Sequence, residues 1–447
     1  MSAPSPLEAN QQQPPTRFRW VVFGLGCGTS WVLYLHRYTF ALVKKELKDE
    51  WGLTNQDLGL LDSAFSIAYS AFQIPAGLLA DFYGAHLFLG AIILIWSFAI
   101  AMHAWAPGLT SMAYARGIFG AGQAGAFAAL SRLTRTWFPF SSRTSAQGWI
   151  GVSFGRIGGL SSNVLFAAVM LGLLAMDWRT ALYILAAVGV VHGIVFLIFF
   201  RNSPRDSPWV NSAEADLIEV VPEGEVSAAS AQKMTIRQMF SRMKPRAIVN
   251  LIVLTITSTF STIADNIYSA WIPLFLAEVH GLNFKEMGIY SALPLLGGAL
   301  GGGFSGMLND RLIRLTGNRR WTRSLIGFGG KAIAAVILVF ALMTSYDNPY
   351  RFCGYLFFVK LFADAGLSTR WGTITDISGN ASATVFAFNN SLAALFAMGA
   401  PILYGVVSHK FGWQPVFMIA IGAYVLCAIS WLFVNCTLEL FPEEESA

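Results

Sequence analysis

The sequence predicts an all-α polytopic membrane protein, with twelve transmembrane helices in two pseudo-symmetric six-helix bundles. Three observations carry this. Of 447 residues, 55% are hydrophobic and 12% charged, against roughly a quarter charged in soluble proteins, and the mean hydropathy is +0.54, so the chain needs lipid as solvent. Apolar windows long enough to span a bilayer recur twelve times. Landmarks of the first half return in the second at a nearly constant offset.

The first 16 residues, MSAPSPLEANQQQPPT, are polar and proline-rich, without the apolar core of a cleavable signal; residues 1–19 are expected to form a disordered cytoplasmic tail. Windows of about 20 apolar residues follow at 20–42, 57–79, 85–106, 109–131, 144–172 and 180–200, giving a first bundle over 20–200. Residues 201–245, opening on SPRDSPW, read as a cytoplasmic linker with a short amphipathic helix from Ser212 to Val221. Windows at 247–277, 286–308, 325–344, 350–370, 380–407 and 413–436 form a second bundle over 246–437, before a tail at 438–447. Twelve crossings put both termini on one side. With that side inside, the inner segments hold 17 Lys and Arg and the outer loops 7, the latter counting Lys44, Lys45 and Lys48. The bias makes both termini cytoplasmic and the plasma (inner) membrane the location.

Other classes are disfavoured. Cys27, Cys353, Cys427 and Cys436 show neither CxxC nor metal-ligand spacing, so no disulfide framework, metal or cofactor is expected. The basic residues lack the aromatic interleaving of a nucleic-acid surface. Six histidines without HExxH give no support to an intramembrane enzyme. The glycines from Gly297 to Gly303 lack the Lys-Ser/Thr of a phosphate loop and read as close helix packing.

Gly77-Leu78-Leu79-Ala80-Asp81 is echoed by Gly306-Met307-Leu308-Asn309-Asp310-Arg311, an offset of 229, and Trp178 by Trp413, an offset of 235. Duplication of a six-helix unit implies a cavity between the halves near the bilayer midplane. GLLADFYG at 77–84, its weaker copy and the 6+6 plan resemble the major facilitator superfamily. Tyr34-Leu35-His36-Arg37, SAFSIAYSAFQIPAG at 63–77, Arg116-Gly117 through TWFP to Arg143, Trp271-Ile272-Pro273 and the stretch from Trp371 to Asn390 are similar to its anion:cation symporter family. The resemblance implies a carrier, not an enzyme, that moves sugar acids or other small organic anions by alternating access, with proton symport. It gives Asp81, Asp310 and Arg311 the role of a conformational latch, although Phe82 and His86 stand where the family has basic residues.

A charge in hydrocarbon costs at least about 2.5 to 3.5 kcal/mol, so intramembrane ionisable groups point to function. Six basic residues remain inside the spans: Arg37, Arg116, Arg156, Lys331, Lys360 and Arg370. The acidic set is chiefly Asp265 and Asp364, with Asp62 near the start of the second helix. The expected cavity is net positive and suits an anion. Arg37 offers a planar fork for a carboxylate; the alternative is a snorkelling side chain. Tyr34 lies one turn earlier on the same face, and Arg116 and Gln123 share a face of the fourth helix. By the resemblance Tyr69, Trp371 and Asn390 complete the substrate site.

The family places proton-carrying carboxylates at the positions of His36 and Gln123, and neither is acidic here. His36 or Asp265 is then a candidate coupling group for protons or sodium; the alternatives are a hydrogen-bonded structural histidine and a structural ion pair. A third account is an uncoupled organic anion or organic phosphate exchanger or uniporter, although the second arginine of phosphate-ester antiporters has no counterpart between Arg246 and Glu278. Lys360 and Asp364, four apart, read as a pair. Lys331 is expected to snorkel, Arg370 to sit at the inner mouth, and Arg156 either to bind a second anionic group or to pair with Asp265. A monomer is expected.

Overall fold

The computed structural model describes residues 14–139, 142, 146–219, 245–378 and 382–440. Among these there are helices and connections and no strand. Twelve helical passages follow the chain. α1 is Arg19–Trp51. α2 (55–83) and α3 (85–105) form one helical run, Asn55–Trp105, broken at Gly84, whose φ of 78° a side-chain-bearing residue rarely adopts. α4 is Leu109–Gln123 continued by Ala126–Trp137, α5 is Ala146–Leu173 and α6 is Trp178–Phe199. In the second half, α7 is Pro245–Ala270 continued by Ile272–His280, α8 is Phe284–Thr316, α9 is Arg319–Ser345 and α10 is Pro349–Ser378. α11 is Ser382–Ala397 continued by Ala400–Phe411, and α12 is Trp413–Trp431.

Eight helices among the described residues are apolar and long enough to cross a membrane. The other passages, α1, α2, α4 and α8, include Arg37, Asp62, Arg116 and the glycine run; polar and small residues lower the hydropathy of helices that face other helices. Local signals set the ends. Gly52 (φ 65°) closes α1, and Thr54 and Asp57 form a reciprocal capping box opening α2. Trp178 and Trp413, the paired landmarks, each begin the sixth helix of a half, capped by Asp177 in the first.

The predicted linker helix is present as Ser212–Glu219. Its buried Glu214 accepts hydrogen bonds from Thr16 Oγ1 (2.6 Å), Phe18 N (2.7 Å) and Arg19 N (3.1 Å), tying the linker to the free amides that open α1. Residues 220–244, the rest of that linker, and Arg143 lie outside the described residues.

The halves meet along α1–α7, α2–α11 and α5–α8. Polar contacts crossing the seam cluster toward the end distal to the termini. Lys44 donates to Ala270 O (2.7 Å), Ser63 to Met398 O (3.2 Å), and Lys48 pairs with Glu278. Within the second half α8 and α10 pack backbone to backbone: a Cβ at Gly297 would stand 2.1 Å from Phe357 O, and one at Gly301 1.9 Å from Leu361 O. The packing role expected of this glycine run is what the structure shows.

Candidate anion-binding site

Arg37 lies on α1, where its side chain reaches α2 and α4. Its guanidinium carbon is 5.0, 5.4 and 4.9 Å from the ring centroids of Tyr34, Phe65 and Tyr69. Phe65 and Tyr69, one turn apart on α2, stack at 5.6 Å with an interplanar angle of 18°. Arg37 Nε donates to Gln123 Oε1 at 2.8 Å, and Gln123 Nε2 donates to Leu33 O at 3.0 Å, which fixes the amide. Arg37 Nη2 is buried and makes no well-aligned hydrogen bond among the described residues, with the Tyr69 phenol as a further polar neighbour of the guanidinium. A buried unmatched donor on a cation is costly, and an anionic oxygen would satisfy it. The structure thus brings together Tyr34, Arg37, Tyr69 and Gln123, and adds Phe65, whose i,i+4 spacing from Tyr69 was the available signal.

Arg116 is placed differently. It sits on the other side of Phe65, its guanidinium carbon 4.8 Å from that ring and 4.2 Å from Phe40, and donates to Leu61 O (3.2 Å) and Asp62 Oδ1 (3.0 Å). Asp62 Oδ2 accepts from Lys44 Nζ at 2.5 Å. The sequence reading set Lys44 in an outer loop; it is instead fully buried on α1, with its Nζ 3.7 Å from the centroid of Trp271. A lysine in an apolar site needs a carboxylate, and Asp62 was the one within reach. Arg116 therefore spends its charge on this triad, a partner that helical spacing along α4 could not show.

His36 is also turned away from Arg37. It is buried, and its Nε2 is 2.9 Å from Leu185 O of α6, the arrangement of a structural histidine. Asp265 accepts from Lys360 at 2.7 Å, and Lys360 also donates to Asp364 at 2.7 Å, the i,i+4 pair expected on α10. Arg156 pairs with Asp364 at 2.6 Å, not with Asp265. Lys331 does not snorkel: it is 3% exposed and donates to Ser261 Oγ at 2.8 Å. Beside the Lys44–Asp62–Arg116 triad, the spans carry Arg37, Arg156, Lys331, Lys360 and Arg370 against Asp265 and Asp364, five cations to two carboxylates among the described residues.

Trp371 stacks on Phe386 with centroids 3.7 Å apart, and Asn390 is half-buried on α11. Its neighbour Asn389 is used internally, accepting from Ser258 (2.9 Å) and donating to Thr255 (3.0 Å) on α7. Ser391 donates to Gln73 Oε1 across the seam at 2.6 Å. The side chains of Asp81 and Asp310 lie outside the described residues; both backbones are helical, and Arg311 is exposed.

A fold of two six-helix halves around a cationic seam defines a polytopic membrane transporter rather than an enzyme. Residues 26–398 match the model of the Major Facilitator Superfamily, and the chain belongs to that superfamily. It is 28% identical to a probable sulfoacetate transporter of Cupriavidus necator over 96% of each chain. It is 26% identical to the hexuronate transporter of Escherichia coli K12, covering 92% of this chain and 94% of the relative. A solved bacterial homologue of the human lysosomal transporter Spinster, inward-facing and unoccupied, superposes with a TM-score of 0.71 at 17% identity, covering 94% of this chain and 95% of that one.

Proposed function

We propose that the protein is a secondary transporter that carries a small organic anion across the plasma (inner) membrane by alternating access, with both termini cytoplasmic and as a monomer. The observation that carries this reading is Arg37: a guanidinium inside an aromatic cage, with its buried Nη2 unmatched, in a seam with excess positive charge. A planar fork of this kind takes two oxygens of a carboxylate or sulfonate. The names of the relatives, which carry sulfoacetate and hexuronates, point to the same class. Tyr34, Tyr69 and Gln123 shape the site around Arg37, Trp371 and Asn390 close it from the second half, and Asp81, Asp310 and Arg311 serve as a latch at the cytoplasmic end.

Proton symport is the default mode, and uncoupled exchange is the second reading, favoured by one observation: the two positions where the family carries proton-exchanging carboxylates hold a non-titrating amide, Gln123, and a histidine turned toward α6. The test is counterflow of labelled sulfoacetate, glucuronate and glucarate in proteoliposomes, alongside ligand-induced thermal stabilisation of the purified protein. At least one acid should exchange and stabilise. Binding without flux would make the protein a sensor, and neither would end the organic-anion reading.

A further inference from the structure

Four charges form a closed cluster across the seam. Arg156, on α5 of the first half, places Nη2 2.6 Å from Asp364 Oδ2 on α10. Lys360 Nζ is 2.7 Å from Asp364 Oδ1 and 2.7 Å from Asp265 Oδ1 on α7. Asp364 and Lys360 are 2% and 1% exposed. α5 is widened to π geometry over Trp149–Ser153 and again over Ser162–Leu173, which brackets the α-helical segment carrying Arg156. α8 leaves room for the carboxylate through Gly298, where a Cβ would stand 2.3 Å from Asp364 Oδ2. That oxygen receives no well-aligned hydrogen bond, so Arg156's charge is its one close partner among the described residues.

The other ionisable groups around the cluster are Tyr38 of α1, Tyr268 of α7, Lys331 of α9, Arg370 of α10 and Tyr424 of α12. α8 meets Asp364 with Gly298, and residues 382–397 of α11 carry no ionisable side chain. Within the four, two cations and two carboxylates sum to zero, with Lys331 and Arg370 as further positive neighbours. Arg156 belongs to the half that must move relative to the other three, so this neutrality depends on conformation and on what else Arg156 holds.

An anionic group that binds Arg156 leaves the buried Asp364 Oδ2 without its close partner, and Lys360 shared between Asp364 and the half-buried Asp265. An uncompensated charge in such a site is expensive, and a carboxylate removes it by taking a proton. We propose that the incoming anion takes Arg156 from Asp364 and that Asp364 Oδ2 then accepts one proton from water, so that one proton travels with each anionic group held at Arg156. The bond formed is O–H at Oδ2. On release of the anion, Arg156 returns and the proton leaves to water. This rests on the organic-anion carrier reading, and it moves coupling from the first half to the second.

Sulfoacetate in proteoliposomes is the probe. Counterflow at equal pH reads exchange, and accumulation on an inward proton gradient reads coupling; the wild type should do both. Asp364→Asn should lose gradient-driven accumulation at least tenfold while counterflow falls less than threefold. The double variant Arg156→Gln/Asp364→Asn preserves net charge and carries the test if the single variant does not fold; it should be uncoupled with a raised KM for sulfoacetate. Accumulation by Asp364→Asn at the wild-type level overturns the proposal. So does a wild type that exchanges without responding to the proton gradient, or responds only to sodium. Equal loss of exchange and accumulation in both variants makes Asp364 structural and also overturns it. Absence of wild-type counterflow with sulfoacetate, glucuronate and glucarate alike defeats the carrier reading itself, and the coupling with it.

Discussion

At the scale of the residue, function turns on which cations are already satisfied. Arg116, Arg156 and Lys360 face carboxylates, whereas Arg37 faces three aromatic rings and one amide. Arg37→Lys keeps the charge and loses the fork. With charge-assisted hydrogen bonds worth about 1.5–3 kcal/mol, anion exchange should fall by roughly 10- to 100-fold while folded protein stays in the membrane; unchanged counterflow kinetics would remove Arg37 from the site. Gln123→Glu places a carboxylate where the amide now accepts from Arg37 Nε at 2.8 Å. Ionised, it would compete with the substrate anion; protonated, it would free the arginine. Exchange by this variant should therefore rise as pH falls, relative to wild type, and a superimposable pH profile would sink the idea.

At the scale of the element, glycines decide how near the helices come. α8 and α10 touch along Gly297 and Gly301, and Gly298 makes the space that Asp364 occupies. A side chain at Gly301 meets backbone, which cannot step aside as a flexible side chain can. Gly301→Val should destabilise the protein by about 1–3 kcal/mol or more through overpacking, read as a lower melting temperature of the purified protein. A melting temperature equal to wild type would show that these helices can separate at little cost. The broken helices follow from sequence as well: α7 restarts at Ile272 with Pro273 in its first turn, and α11 restarts at Ala400 with Pro401, where a proline's missing N–H costs nothing.

At the scale of the whole molecule, the seam is held at its distal end by Lys44 and Lys48 reaching across to α7. Lys44→Met removes one of these ties while Arg116 still compensates Asp62. The variant should fold and shift toward a form opened at the distal end. Spin labels at Asp49→Cys on α1 and Val279→Cys on α7, with the four native cysteines buried, should report longer distances in the Lys44→Met background. An unchanged distance distribution would mean that Lys44 supports packing only.

The sequence by itself determined the twelve-helix plan, its duplication, the charge excess inside the spans and the placing of Tyr34 beside Arg37. These rest on hydropathy, spacing along a helix and short motifs, all properties of contiguous chain; Tyr34 and Arg37 are one turn apart, and so are Phe65 and Tyr69. Apart from the i,i+4 pair of Lys360 and Asp364, only the tertiary structure decided how the charges pair. Asp62 with Lys44 and Arg116, Lys331 with Ser261, and Arg156 with Asp364 join side chains on different helices. A buried charge takes whichever partner the packing of other helices brings within a few ångströms, and no periodicity along one helix contains that information.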